Sequence, residues 1–375
     1  MKCVVCGTKN TLKERNANKG RCKRCQQPFA FDTSHMGKVP ITDSLFEKFI
    51  AHISDSKTLY YTEEQLLYLI NSRLGQKSKN IQKLGKFLLL AVGVALGVII
   101  WVNSKQLFAG YAVVGIIGIR FFLVTSKQPK AQSFVVSRSQ LQGWIRRWTE
   151  LNRTMGKILP PLSLAQEEAP VREELRDYSF DRLVVCDRPE IAQMLIANNF
   201  HFENNCAVLS FNGYPQSIFT TVMEMLRRNP DLKVYALHDA TPKGVSLVYE
   251  LQTSPNWFLS SQVAIYDLGL LPRHIMKNSQ IFLHKSPESA AEAKQLPAPV
   301  KQKYQPEEIA WLESGYYVEL EVFSPRKLLQ VVSQGIIKSQ NMLPQDGSVG
   351  IIDGDGSAWT VTTGVGFLLA DDNFG

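Results

Sequence analysis

The sequence predicts a multidomain α/β membrane protein. It reads as a small cysteine-bound zinc module, a transmembrane helical hairpin, a mostly parallel α/β sheet and a small α+β C-terminal region. Three observations predict this. Two Cys-x-x-Cys pairs open the chain, two apolar runs lie in its first third, and from Asp181 short apolar strands alternate with helices. At 375 residues the chain has room for two or three domains.

The first module spans 1–35. Cys3-x-x-Cys6 and Cys22-x-x-Cys25 stand 15 residues apart. Two such knuckles present four thiolates as a tetrahedron, the arrangement a structural Zn²⁺ requires. So short a segment cannot bury a core, so the metal supplies the folding energy. The pattern resembles the zinc ribbons found at the ends of many bacterial proteins. Residues 1–40 carry nine Lys/Arg against Glu14 and Asp32, which is +7 of the chain's +8. Basic character thus belongs to this module. Part of it offsets the −2 of a four-thiolate zinc site, and contact with nucleic acid is a second use.

Residues 41–75 read as a small helical module. Thr42 or Asp43 caps a helix with Leu45, Phe46, Phe49, Ile50 and Ile53 on one side, and Thr62-x-x-Gln65 is a capping box for a second. The runs 87–102 and 107–124 follow, joined by four polar residues. They form the hairpin expected over 84–125, because a span needs roughly 20 apolar residues. Gly93, Gly97, Gly110, Gly115 and Gly118 suit close helix approach in lipid. Lys77, Lys79, Lys83 and Lys86 before it, and Lys127, Lys130 and Arg138 after it, keep both ends cytosolic. The expected localisation is therefore an integral, two-pass membrane protein with a lipid bilayer as partner and both termini in the cytosol. Residues 131–160 repeat apolar positions at helical spacing, as an interfacial helix or one packed on the next domain.

Residues 178–285 form the α/β unit. Strands are expected at 183–186, 207–211, 232–237 and 263–266, and a fifth at 281–283, with helices between. Ligands in such sheets sit beyond the strand C-termini. Asp187, Asn212-Gly213, His238-Asp239 and Asp267 stand there. Asp187, Asp239 and Asp267 are carboxylates that can approach a Mg²⁺. Each also has a simpler use, as a helix N-cap for Asp187 and Asp239 and as a strand terminator for Asp267.

The segments LVVCDRPEIAQML, LSFNGYPQ, VYALHDATPKGVSL and VAIYDLGL resemble successive blocks of a Toprim domain, a Rossmann-like sheet. The variant is that of the topoisomerase VI A-type family. The resemblance implies a glutamate at the end of the first strand for acid/base chemistry, and a D-x-D after the third to hold Mg²⁺. Here Asp187 takes the glutamate's place, and Asp239-Ala240-Thr241 stands where D-x-D is expected. The second acid is a hydroxyl, so the resemblance is to a degenerate member. Asp187 and Asp239 are its candidate catalytic residues, with Asp239 and Asp267 as candidate Mg²⁺ ligands.

Residues 286–306 are Pro/Ala/Lys/Gln-rich and read as a linker. Residues 307–341 read as a small α+β segment in which Glu319 and Glu321 point the same way, and 345–375 as a Gly-rich tail. The functional expectation is a membrane-anchored zinc protein whose Toprim-like domain binds nucleic acid or a phosphorylated ligand without full metal chemistry. The alternatives are a Mg²⁺-dependent phosphodiester-cleaving or phosphotransfer enzyme, and a membrane scaffold for protein partners.

Overall fold

The structure is a computed structural model. It describes residues 1–31, 41–75, 131–151, 153–162, 180–229, 232–259, 261, 263–276 and 281–339, with the backbone of 348–350.

Two knuckles build the first thirty residues. Each is a tight turn closed by an antiparallel bridge, Lys2 to Lys9 and Arg21 to Pro28. Helix α1 (Leu12–Ala17) lies between them and starts from a capping box of Thr11 and Glu14. Asn10 staples the knuckles together. Its Nδ2 donates to Cys22 Sγ at 3.5 Å, and its Oδ1 accepts from Lys23 N at 2.9 Å.

The next unit gathers α2 (Asp43–Ile53), α3 (63–75) and α4 (Arg138–Glu150). The cap of α2 is Thr42, whose side chain accepts from Leu45 N. Phe46, Ile50, Leu66, Ile70, Leu141 and Trp148 bury one another, and Ala30 and Phe31 from the knuckle module join them. The apolar face of α4 is therefore packed on α2 and α3. Asp43 fixes the junction. Its fully buried carboxylate accepts from Ala30 N and Phe31 N at 3.0 and 3.1 Å and pairs with Arg153, which also donates to Pro28 O at 2.8 Å. A buried charge of this kind persists only when fully partnered.

The α/β unit holds five parallel strands in the order β2-β1-β3-β4-β7. They are β1 (Arg182–Cys186), β2 (Cys206–Ser210), β3 (Lys233–Leu237), β4 (Ile265–Asp267) and β7 (Ser348–Gly350). Their side chains alternate between two cores, as the strand pleat requires. Val184, Cys186, Val208, Tyr235 and Leu237 face one, and Leu183, Val185, Leu209, Val234 and Ala236 the other. Burial on both faces explains why these strands read as continuous apolar runs. Helices α5 (Pro189–Ala197) and α6 (Phe200–Glu203) cover the first face, and α7 (Gln216–Arg228) and most of α8 (Pro242–Thr253) the second.

After β4 come α9 (Pro272–Met276), β5 (His284–Lys285), α10 (Pro287–Lys294), α11 (Ala298–Lys303), α12 (Pro306–Glu313), β6 (Tyr316–Tyr317) and α13 (Pro325–Ser339). The linker reading of 286–306 gives way here to α10 and α11, whose Ala293 and Val300 are buried in the first core. Proline occupies the first turn of both helices, where it starts them without losing a hydrogen bond. The fifth strand lies at 284–285 rather than 281–283 and pairs antiparallel with β6 in a separate ribbon. Leu328, Val332 and Ile336 of α13 close the first core.

The membrane architecture expected from hydropathy is corrected. Among the described residues no helix is long and apolar enough to cross a membrane. The longest with both ends described, α13, has 15 residues and a polar face, against the roughly 20 apolar ones a span needs. The runs 87–102 and 107–124, on which the hairpin, the bilayer partner and the two-pass localisation rested, lie outside the described residues. So does the tail 351–375.

Candidate functional site

The sheet brings the strand-end residues to one edge. β1 and β3 are in register at Cys186 and Leu237, so Asp187 and His238 follow side by side, and Asp187 N donates to Leu237 O at 3.0 Å. Ala236 pairs with Asp267 across β3 and β4. A bridge between Ala240 and Val318 then lays the segment 319–321 beside Asp239.

None of these strand-end acids caps a helix. The N-cap of α5 is Arg188, with no side-chain bond, and that of α8 is Thr241, which accepts from Gly244 N at 2.9 Å. Asp187 Oδ2 instead accepts from Asp239 N at 2.8 Å, leaving Oδ1 without a partner among the described residues. Asp239, 2 % exposed, is held on both oxygens. Oδ1 accepts from Leu320 N at 2.6 Å, and Oδ2 lies 3.1 Å from Arg188 Nε. Arg188 also pairs with Glu319 at 3.5 Å and, more closely, with the fully buried Glu321. Glu319 accepts from Tyr68 OH of α3, which also meets His284 Nε2 at 2.8 Å. The helical unit thus reaches directly into the site.

One guanidinium stands among four carboxylates, and the crowding shifts their titration. Burial pushes Asp187 above the usual carboxylate range. Burial, then repulsion from Asp187, pushes Asp239 well above it. Burial opposes the charge of Arg188, but Asp239 and Glu319 outweigh it and hold the guanidinium protonated. A cleft of about 300 Å³ opens over this cluster, lined also by Thr241, Lys243, Ser289 and Tyr317.

Asp267 does not line that cleft. Its Oδ1 accepts from His238 Nε2 at 3.0 Å and from Gly269 N at 2.9 Å, while His238 Nδ1 donates to Asp239 O at 2.7 Å. Both ring nitrogens are spent as donors, which requires an imidazolium. Burial opposes that charge, but Asp267 outweighs it and raises His238 to about 9. Asp267 moves the other way, since His238 and Gly269 N overcome the cost of burial. The unfolded chain has an imidazole near roughly 6.5. The His238 contribution to stability is therefore full below that pH and lost as pH rises through about 9. The Asp267 contribution is lost as pH falls through the acid range. Long-range ¹H–¹⁵N spectra are expected to show both His238 nitrogens protonated at neutral pH, with a midpoint near 9. A midpoint at the ordinary imidazole value contradicts the buried pair.

The second cluster is the four cysteines. Their sulfur atoms all lie within 4.8 Å of one another, with Cys3 to Cys25 at 3.6 Å and Cys6 to Cys22 at 3.5 Å. Such a set can hold a metal. Burial works against a Cys22 thiolate, but the backbone N–H groups of Cys25 and Arg24 and the Asn10 amide outweigh it and bring the thiol down to about 6. Among the described residues no other group of three or more His, Cys, Asp or Glu converges this closely.

Sequence reasoning placed Asp187 and Asp239 together at the sheet edge, and they touch. It grouped Asp267 with them, and the structure places it behind His238. It passed over Arg188, whose one signal is its position directly after the strand-end acid. It had Glu319 and Glu321 pointing the same way, and the structure buries Glu321 to 1 % exposure beside Arg188.

Residues 183–337, which are 155 of the 375, match the family model for the Toprim domain shared by Spo11 and the A-type chain of topoisomerase 6. This segment is a Toprim-like domain, and its end coincides with α13. No curated protein matches the chain. Toprim domains bind Mg²⁺, and the family is compatible with nuclease-type chemistry and with nucleic-acid binding. The residues present do not fit such a Mg²⁺. The ion wants near-octahedral oxygen at about 2.1 Å. Here the Asp239 oxygens are taken by Leu320 N and Arg188, Asp267 is taken by His238, and the second position of D-x-D is Thr241, turned to its helix.

Proposed function

We propose that this chain is a nucleic-acid-binding protein, with a zinc ribbon at Cys3, Cys6, Cys22 and Cys25 and a Toprim-like domain that binds rather than cuts. The observation that carries the reading is the charge on the ribbon. Lys2, Lys9, Lys13, Lys19, Arg21, Lys23 and Arg24 are all exposed on about thirty residues, and among the described residues only Lys23 of these is tied to an acid, Glu14. Seven cations exceed what a four-thiolate zinc site of net −2 needs nearby. The surplus suits a phosphate backbone, whose binding is mainly counterion release. The Toprim family match supports the same partner class. The degenerate acid pattern supports binding without Mg²⁺-dependent cleavage.

The zinc-loaded full chain is to be titrated onto single- and double-stranded DNA over a range of salt, with and without Mg²⁺. The expected result is binding that weakens steeply with salt, by about tenfold or more between low and physiological ionic strength. It should persist in EDTA at times too short to strip zinc. Replacing Lys19, Arg21 and Arg24 by Gln should lower the salt slope by about 2 to 3. Binding that ignores those substitutions, or strand breaks that need Mg²⁺ and vanish in Asp239→Asn, overturns the proposal.

A further inference from the structure

We infer that Arg188 is the resident cation of the Toprim-like acid cluster and that its guanidinium excludes divalent metal from it. Three carboxylates converge on this one side chain, Asp239 at 3.1 Å, Glu319 at 3.5 Å and Glu321 more closely still. Asp239 and Glu321 are 2 % and 1 % exposed. Acids buried to that degree need a counter-charge. The Toprim family meets such a need with a metal ion, and here a tethered planar cation stands against the same acid. A guanidinium offers hydrogen in a fixed fork and cannot lose its charge. It supplies a counter-charge without the tight octahedron that Mg²⁺ demands.

The four acids outnumber the one cation. Asp187 leans on the backbone N–H of Asp239 at 2.8 Å rather than on a second cation. Removing that one cation leaves Asp239, Glu319 and Glu321 without the counter-charge they share. Glu319 and Glu321 come from a segment about 80 residues beyond Asp239, brought in by the bridge of Ala240 to Val318. They bring two further carboxylates to the same guanidinium. The inference concerns this cluster alone and is independent of the nucleic-acid reading. Its readout is metal binding in the absence of nucleic acid, so either can fail without the other.

The test is a Mn²⁺ titration of the zinc-loaded full chain, followed by the loss of the free-ion electron paramagnetic resonance signal. Mn²⁺ prefers oxygen and does not displace zinc from thiolates. Wild type is expected to leave Mn²⁺ free into the millimolar range. Arg188→Ala is expected to bind one Mn²⁺ at least about tenfold tighter, which is about 1.4 kcal/mol. Asp239→Asn added to it should abolish that site, and free guanidinium ion should compete for it. Tight Mn²⁺ binding by wild type that depends on Asp239 overturns the inference. So does a folded Arg188→Ala chain that gains no site. If Arg188→Ala fails to fold alone, Mn²⁺ or guanidinium at millimolar concentration must restore its near-UV circular dichroism, and failure of both to do so also overturns it.

Discussion

Cys22→Ser is expected to release the metal and melt the first thirty residues. Cys22 is fully buried, and the module's own core is only Cys3, Cys22 and Phe29, with Met1 and Cys6 against it. That much apolar surface cannot order thirty residues, whose backbone alone costs about 1–2 kcal/mol each. Zinc-binding free energy in comparable peptides is about 10–16 kcal/mol, and it is folding free energy. The loss should be local at first. Ala30 and Phe31 are anchored in the next core by Asp43, so α2, α3 and α4 should persist without the knuckles. Metal analysis should give one zinc per wild-type chain and much less for the variant. Amide signals of residues 1–29 should collapse toward random-coil shifts while those of 183–337 stay put. A variant that keeps stoichiometric zinc and its knuckle signals contradicts the metal assignment.

Gly269→Ala is expected to destabilise the α/β domain strongly. A Cβ there would lie 2.1 Å from Cδ2 and Nε2 of His238. The ring cannot retreat, because Asp239 O holds one nitrogen and Asp267 the other in a fully buried position. Overpacking costs about 1–3 kcal/mol, and breaking a buried ion pair about 3–5 kcal/mol. The two are not additive, and about 3 kcal/mol is the expected loss. That lowers Tm by roughly 6–12 °C for a domain of this size. Gly143→Ala is the control. It sits inside α4 with nothing within 4 Å of the added carbon, and the gain in helix propensity should leave Tm unchanged or slightly raised. Thermal unfolding of the zinc-loaded chain separates them. A Gly269→Ala chain that melts with wild type removes the His238–Asp267 pair from the account.

How much of this was legible in the sequence follows from the range of the interactions. The cysteine knuckles depend on spacing within 25 residues, and they are where the spacing places them. The strands β1 to β4 are short apolar runs bounded by turn residues, and the acids at their ends follow from sheet geometry. The site's counter-charges are not local. Asp239 meets Glu319 only through Arg188, and Tyr68 reaches Glu319 across about 250 residues of chain. No window of sequence contains those pairs. The role of His238 carries no local signal, because its partner lies one strand over, at Asp267. The Pro- and Lys-rich stretch 286–306 looked unstructured by composition, yet proline starts its two helices. Hydropathy gave the strongest single expectation, the membrane hairpin. The described residues hold no membrane-spanning helix, and nothing in the site depends on one.

The most direct measurement of the central claim is an anomalous difference map from crystals of the zinc-loaded chain grown in Mn²⁺. The expected map has a zinc peak inside the four cysteines and no peak among Asp187, Asp239, Glu319 and Glu321, with Arg188 still paired to them. A manganese peak on Asp239, with the Arg188 guanidinium swung away, would contradict it.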